Sequence, residues 1–121
     1  MNPYIREVID AHVAIENWLG KGEGDVEALL ARFAPSFSMI TTSGVKLDFA
    51  MLSAFFCGQS AAKPGLKIVV EEIKIVEDWL TGALVSYSER QTLPGQEPTL
   101  RYSTVVFVDM KWKLLHETAV V

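Results

Sequence analysis

The chain has two imidazoles, His12 and His116, and each has neighbours at spacings that chemistry can use. Glu16 follows His12 by four residues. On a helix that spacing puts both on one face, where they can hydrogen-bond, and a carboxylate beside an imidazole raises the imidazole's pKa. His116 sits in M-K-W-K-L-L-H-E-T-A-V (Met110 to Val120), an alternating stretch. In an extended strand Trp112, Leu114, His116 and Thr118 share one side, and Lys113, Leu115, Glu117 and Ala119 the other. An imidazole near its ordinary pKa is a general base or acid at neutral pH. Tyr87 could donate a proton to a developing enolate. Glu89 in apolar surroundings would have a raised pKa and could do acid–base work of the same kind.

The elements that must position these residues fall into two halves. Asn2-Pro3 is a helix start, a capping side chain followed by proline in the first turn. Helical spacing runs on to Leu19, with Gly20 as the stop. Ile5, Val8, His12, Ile15 and Leu19 form one stripe of that helix. Trp18 lies at one border of the stripe and Glu16 at the other. Asp25 caps a predicted second helix, Val26 to Phe33, ending ahead of Pro35. Phe37–Thr41 and Val45–Leu47 read as a small hairpin, and Asp48 caps a third helix from Phe49 to about Ser60. The rest is β: Leu66–Asp78, Leu80–Thr92, Thr99–Val108 and Lys111–Val120. Helices first and a meander afterwards indicate α+β, with helices on one face of an antiparallel sheet.

Register follows from the turns. A tight turn at Asp109-Met110 sets Phe107 opposite Trp112. Continued without interruption, it sets Val105 opposite Leu114, Ser103 opposite His116 and Arg101 opposite Thr118. Ala83, Val85, Tyr87 and Glu89 then join the same surface. That surface is apolar at one end and polar at the other, so it is the expected inner face. The expected pocket combines Tyr87, Glu89, Arg101, Ser103, His116 and Thr118 from the sheet with His12 and Glu16 from the helix, and Trp18 and Trp112 as wall. Its acid–base candidates are His116, His12 and Glu89; the others orient the ligand. Plainer readings stand beside these. Glu89 and Arg101 also read as a cross-strand ion pair, His12 as a core histidine bonded to Glu16 or a carbonyl, and His116 as packing and hydrogen bonding. Glu71-Glu72 marks a bulge or a solvated segment, and Cys57 a buried apolar filler.

Bulk properties narrow the class. The 121 residues fit one domain, 1–121. A net charge of −4 and the lack of any Lys/Arg run argue against nucleic-acid binding. A single cysteine points to a reducing, cytoplasmic setting. No secretory h-region is evident near the start, and no apolar run is long enough for a membrane span. No C-x-x-C, H-E-x-x-H, phosphate-binding glycine loop or nucleophile elbow occurs, so neither metal nor cofactor is expected.

The turn G-D-V-E-A-L-L-A-R-F-A-P-S-F (Gly24 to Phe37) and the closing R-Y-S-T-V-V-F-V-D-M-K-W-K-L-L-H-E-T (Arg101 to Thr118) resemble the nuclear transport factor 2-like superfamily, in its ketosteroid isomerase-like and polyketide cyclase-like bacterial branch. The resemblance spans nearly the whole chain. It implies a strongly curved sheet wrapped on three helices as a cone with an internal pocket, and homodimers formed through the outer sheet face. Relatives often end in H-x-H; here Thr118 takes the second place. The expected function is small-molecule binding, with cofactor-independent acid–base catalysis next to a carbonyl of isomerase, cyclase or dehydratase type. The alternatives are a non-catalytic dimeric association or accessory domain, and an adaptor that binds a protein at the cone mouth.

Overall fold

The side-chain oxygen of Asn2 accepts from the Tyr4 and Ile5 amides at 2.8 and 3.3 Å, which starts the first helix where Pro3 needs no partner. In the computed structural model, which describes residues 1–121, this helix α1 spans Pro3–Lys21. It passes Gly20 and closes at Gly22, whose φ of 66° lets its amide return to the Trp18 carbonyl at 3.0 Å. Helix α2 (Val26–Leu30) is capped by Asp25 through the Glu27 amide at 3.0 Å. It ends earlier than its spacing predicts, because the Trp112 amide takes the Arg32 carbonyl at 3.0 Å and Phe33 pairs with Trp112. Strand β1 (Phe33–Ile40) therefore contains Pro35. The proline is tolerated because regular pairing with the neighbouring strand is interrupted between Phe33 and Ser38. After β2 (Lys46–Asp48), Asp48 caps α3 (Phe49–Cys57) through the Met51 amide at 2.9 Å.

Four strands complete the chain: β3 (Lys67–Trp79), β4 (Gly82–Thr92), β5 (Thr99–Val108) and β6 (Lys111–Ala119). They join β1 and β2 in one curved, unclosed sheet of order β2-β1-β6-β5-β4-β3. The β1–β6 pair is parallel and every other pair antiparallel, so the sheet is mixed where the sequence suggests a wholly antiparallel one. The reason is topological: β6 returns beside β1 after a crossover long enough for parallel pairing. At Gly82 an added Cβ would lie 2.0 Å from the Phe107 carbonyl oxygen, so only glycine lets β4 start this close to β5. Strand β3 bulges at Glu72, φ 56°, where the register with β4 shifts, as Glu71-Glu72 suggests.

The inner face is built in cross-strand rows. Ala83, Phe107 and Trp112 form one row, and Val85, Val105 and Leu115 the next, all buried. Val8, Ala11 and Leu19 of α1, with Leu29, Phe37 and Phe56, complete the core above them. Between the first two rows β6 carries an extra residue. Phe107 pairs with Trp112, but Val106 already pairs with Leu114, so Lys113 is a bulge. One added residue reverses every later side chain. Ser103 therefore faces Glu117, not His116, and Arg101 faces Ala119, not Thr118. His116 and Thr118 lie on the outer face, exposed, which corrects their expected inward placement.

The β5–β6 turn holds Asp109 at φ 51° and Met110 at φ 61°, a two-residue hairpin that favours glycine at its second position. Relief of the Met110 backbone, partly offset by the freedom glycine adds to the unfolded chain, sets the expected effect. Met110→Gly should raise stability in urea denaturation by up to about 1 kcal/mol; a loss of stability would count against this strain.

Candidate functional site

Helix α1 lays His12 on the inner face at the point where the sheet changes from apolar to polar. The ring is buried, and both its nitrogens are engaged. Nδ1 donates to the Val8 carbonyl at 2.7 Å, and Nε2 donates to Glu89 Oε1 at 3.1 Å. A carbonyl and an ionised carboxylate only accept, so with Glu89 ionised both ring nitrogens carry protons and the ring is an imidazolium. The electrostatics agree. Burial by itself pushes the His12 pKa down, but the hydrogen bond and charge of Glu89, with help from the Val8 carbonyl and Glu117, outweigh it and leave it raised. Burial pushes Glu89 up, and His12, Gln91 and Arg101 outweigh that and hold it below its ordinary value. The second Glu89 oxygen accepts from Gln91 Nε2 at 2.6 Å.

This arrangement corrects two expectations for His12. Its carboxylate partner is Glu89, not Glu16, whose Oε1 instead accepts from the Ile68 amide at 2.7 Å and ties α1 to β3. Both ring nitrogens are engaged by Val8 and Glu89, so in this arrangement His12 presents no free lone pair to the cavity.

Arg101 is the cross-strand neighbour of Glu89, yet its hydrogen bonds go to Glu117: Nη1 lies 3.2 and 3.3 Å from the two carboxylate oxygens. The ion pair read from the sequence thus forms with a different carboxylate, on β6. Burial raises the Glu117 pKa; Arg101 opposes the rise and the nearby Glu89 charge adds to it, leaving a net increase. Tyr87 and Ser103 sit on the same row as Glu117, beneath the surface, and neither hydroxyl has a hydrogen-bond partner. Burial, then the charges of Glu89 and Glu117, push the Tyr87 phenol well above 10, so it stays protonated.

A cavity of about 560 Å³ opens between this polar patch and the helices. Its apolar wall includes Phe33, Leu52, Phe55, Phe56, Trp112 and Leu115; its polar wall is His12, Glu89, Gln91, Arg101 and Glu117. Lys63 and the β1–β2 loop residues Thr41, Thr42 and Ser43 also line it. Size and composition match those of small-molecule sites. Of the residues expected in the pocket, His12, Glu89, Arg101 and Trp112 line it. Tyr87 and Ser103 lie behind its surface. Trp18 faces a separate groove of about 360 Å³ between α1 and α2, where none of the perturbed groups sits, and its indole donates to the Phe56 carbonyl at 2.8 Å. His116 and Thr118 line a depression of about 350 Å³ on the outer face. Sequence reasoning missed Glu117, Gln91 and Lys63. Gln91 had a signal, since it continues the inward alternation Tyr87, Glu89. Glu117 had none before the bulge was known.

The His12–Glu89 pair gives a pH signature. Glu89, lowered, contributes stability that is present above its ordinary 4.5 and is lost as pH falls through its folded value. His12, raised, contributes stability present below 6.5 that is lost as pH rises through its folded value. His12→Gln should cost about 3–5 kcal/mol by stranding a buried carboxylate. It should also reverse the acid limb, because burial then raises Glu89 and protonating it relieves the variant. Urea denaturation across the acid range checks this; parallel wild-type and variant profiles would exclude the pair as the cause.

No family model matches the sequence, and no curated protein matches it. Solved structures do. An NTF-2 like protein of unknown function from Pseudomonas aeruginosa is 36% identical, with a TM-score of 0.93 over 98% of this chain and 99% of that one. A proposed dehydratase from the NTF2-like family, from Streptomyces avermitilis, is 17% identical with a TM-score of 0.73, over 96% and 95% of the two chains. A proposed calcium/calmodulin-dependent protein kinase type II association domain from Thiobacillus denitrificans is 14% identical with a TM-score of 0.65, over 80% and 83%. The last two show a shared fold alone.

Proposed function

This chain belongs to the nuclear transport factor 2-like family, and from that premise we propose that its cavity binds a small molecule with an apolar body and a polar head and moves a proton next to a carbonyl without a cofactor. The observation that carries this reading is the Glu117–Arg101 pair at the wall of the 560 Å³ cavity. Burial holds the Glu117 carboxyl above its ordinary value, and a carboxylate raised in this way is a candidate proton carrier. Arg101 spends only Nη1 on it, so the rest of the guanidinium can meet a carbonyl oxygen as negative charge grows there. Glu89, neutralised by His12 and held by Gln91, supports the field and does not transfer the proton. Acid–base work of this type gives roughly 10²–10⁴-fold acceleration. The dehydratase among the fold relatives supports the reaction class by analogy of fold.

A second reading has its own support. The outer sheet face exposes Tyr102 and Leu114 beside Val106 and Leu84 around the depression holding His116. Such a patch suits a homodimer, and an association domain is among the fold relatives. Both readings hold together if the dimer uses the outer face and the ligand the inner. The structure has no helix long and apolar enough to cross a membrane. Cys57 is exposed, not the buried filler its apolar neighbours suggest, and as an unpaired thiol it fits a reducing, cytoplasmic setting.

A thermal-shift screen of small carbonyl and carboxylate compounds tests the first reading, with hits repeated on Glu117→Gln and Arg101→Gln. Hits should lose about tenfold or more in affinity in Arg101→Gln. Exchange of the substrate's α-protons into heavy water, followed by NMR, should stop in Glu117→Gln. Hits of undiminished affinity in both variants would place the site elsewhere. For the second reading, Leu114→Asp should convert a dimer to monomer in sedimentation velocity; a dimer that survives the substitution uses another surface.

A further inference from the structure

The charges around the cavity are unequal. Three cations, His12, Lys63 and Arg101, face two carboxylates, Glu89 and Glu117, in a protein whose net charge is −4. His12 and Glu89 cancel, and neither has capacity to spare: the imidazolium gives both protons to fixed acceptors. Lys63 makes no ion pair. Arg101 holds Glu117 through one nitrogen only, at 3.2 and 3.3 Å, beyond the 2.7–2.9 Å usual for charge-assisted bonds. A guanidinium prefers two parallel bonds to a planar anion, and Nε and Nη2 are the donors that remain for them. Opposite stands the apolar wall of Phe33, Leu52, Phe55, Phe56 and Leu115.

We propose that the cavity selects an amphiphile with an anionic head, a carboxylate in the natural case, whose head takes Arg101 from Glu117 and whose binding puts a proton on Glu117. The proposal rests on the ligand-binding reading above and names the ligand's class. A cationic head would meet an arginine, a lysine and an imidazolium. A neutral head would leave the Lys63 charge unanswered.

The proton follows from what surrounds Glu117. From β5 it faces Arg101, from β4 Glu89 and Tyr87, from α1 His12, and Lys63 lines the same cavity from the segment after α3. Helix α3 and the β1–β2 loop add no charge to the lining. Arg101 is the main group that favours ionised Glu117, while Glu89 opposes it. A head that takes the arginine and adds a negative charge shifts both influences toward the protonated form. The protonated carboxyl can then donate to the bound head. It is also loaded as a general acid, the form a dehydration would use on a leaving hydroxyl.

Four probes of one chain length separate the outcomes: octanoate, octane-1-sulfonate, octanol and octylamine, measured by titration calorimetry near neutral pH. Both anions should bind at least about tenfold more tightly than the alcohol and the amine. Arg101→Gln should erase that preference and leave octanol binding within about twofold. The sulfonate stays ionised, so any proton taken up on its binding comes to the protein. Titrations in two buffers of different ionisation enthalpy should show net uptake in the wild type and none in Glu117→Gln. If octanol or octylamine binds as tightly as octanoate, the cavity stands as a ligand site and the anionic class is wrong. If no probe binds, the ligand-binding reading falls with it. Sulfonate binding without proton uptake, or with the same uptake in Glu117→Gln, overturns the role of Glu117.

Discussion

One extra residue in the last strand decides what this protein presents to its interior. Trp112 must point inward, because it packs on Phe107, Phe33 and His12 and its indole donates to Glu7 at 3.0 Å. Leu115 must also point inward, between Val105 and the helices. They stand three positions apart where simple alternation allows two or four. Lys113 absorbs the difference as a bulge. The demand is set by packing: two large apolar groups outweigh one lost ladder position, since burying a side chain of this size is worth about 1.5–3 kcal/mol. Everything beyond the bulge follows, including the exposure of His116 and the burial of Glu117.

The cavity's charges divide by mobility. His12 and Glu89 form a closed unit with every strong hydrogen bond made, at the end of an aromatic cluster. Such a buried pair is costly to break and adds little net stability by itself. Its effect is to hold the Glu89 carboxylate, compensated by His12, beside Arg101 and Glu117. The second pair is looser, longer and open to the cavity. Rigid charge next to adjustable charge is the arrangement in which a ligand can change a protonation state without unfolding anything.

The sheet's two ends and two faces serve different ends. On β3, an edge strand, Glu16 takes the Ile68 amide, and bulges at Glu72 and near Val76 break its regularity. Both features discourage pairing with another sheet. The outer face, by contrast, keeps Tyr102 and Leu114 exposed around the groove that holds His116. The molecule thus closes its edge and leaves its broad face open.

The α+β class, the cap residues Asn2, Asp25 and Asp48, the β5–β6 turn and the Phe107–Trp112 pairing were all legible in the sequence. They rest on local chemistry: a side chain capping its own helix, a turn of fixed length, alternation over a few residues. The inward positions of Tyr87, Glu89 and Arg101 were legible for the same reason, since β4 and β5 pair without interruption. What lay beyond local chemistry was every choice made by contact between distant segments. Phe33 left a helix for a strand because Trp112 was there to pair with it. Glu16 and His12, ideally spaced for each other, took Ile68 and Glu89 instead. Leu114 and Leu115 are equally apolar, so nothing in the pattern marked which belonged inside. Only the packed core, with room for one of them, made that choice, and with it decided that Glu117 and not His116 would face the cavity.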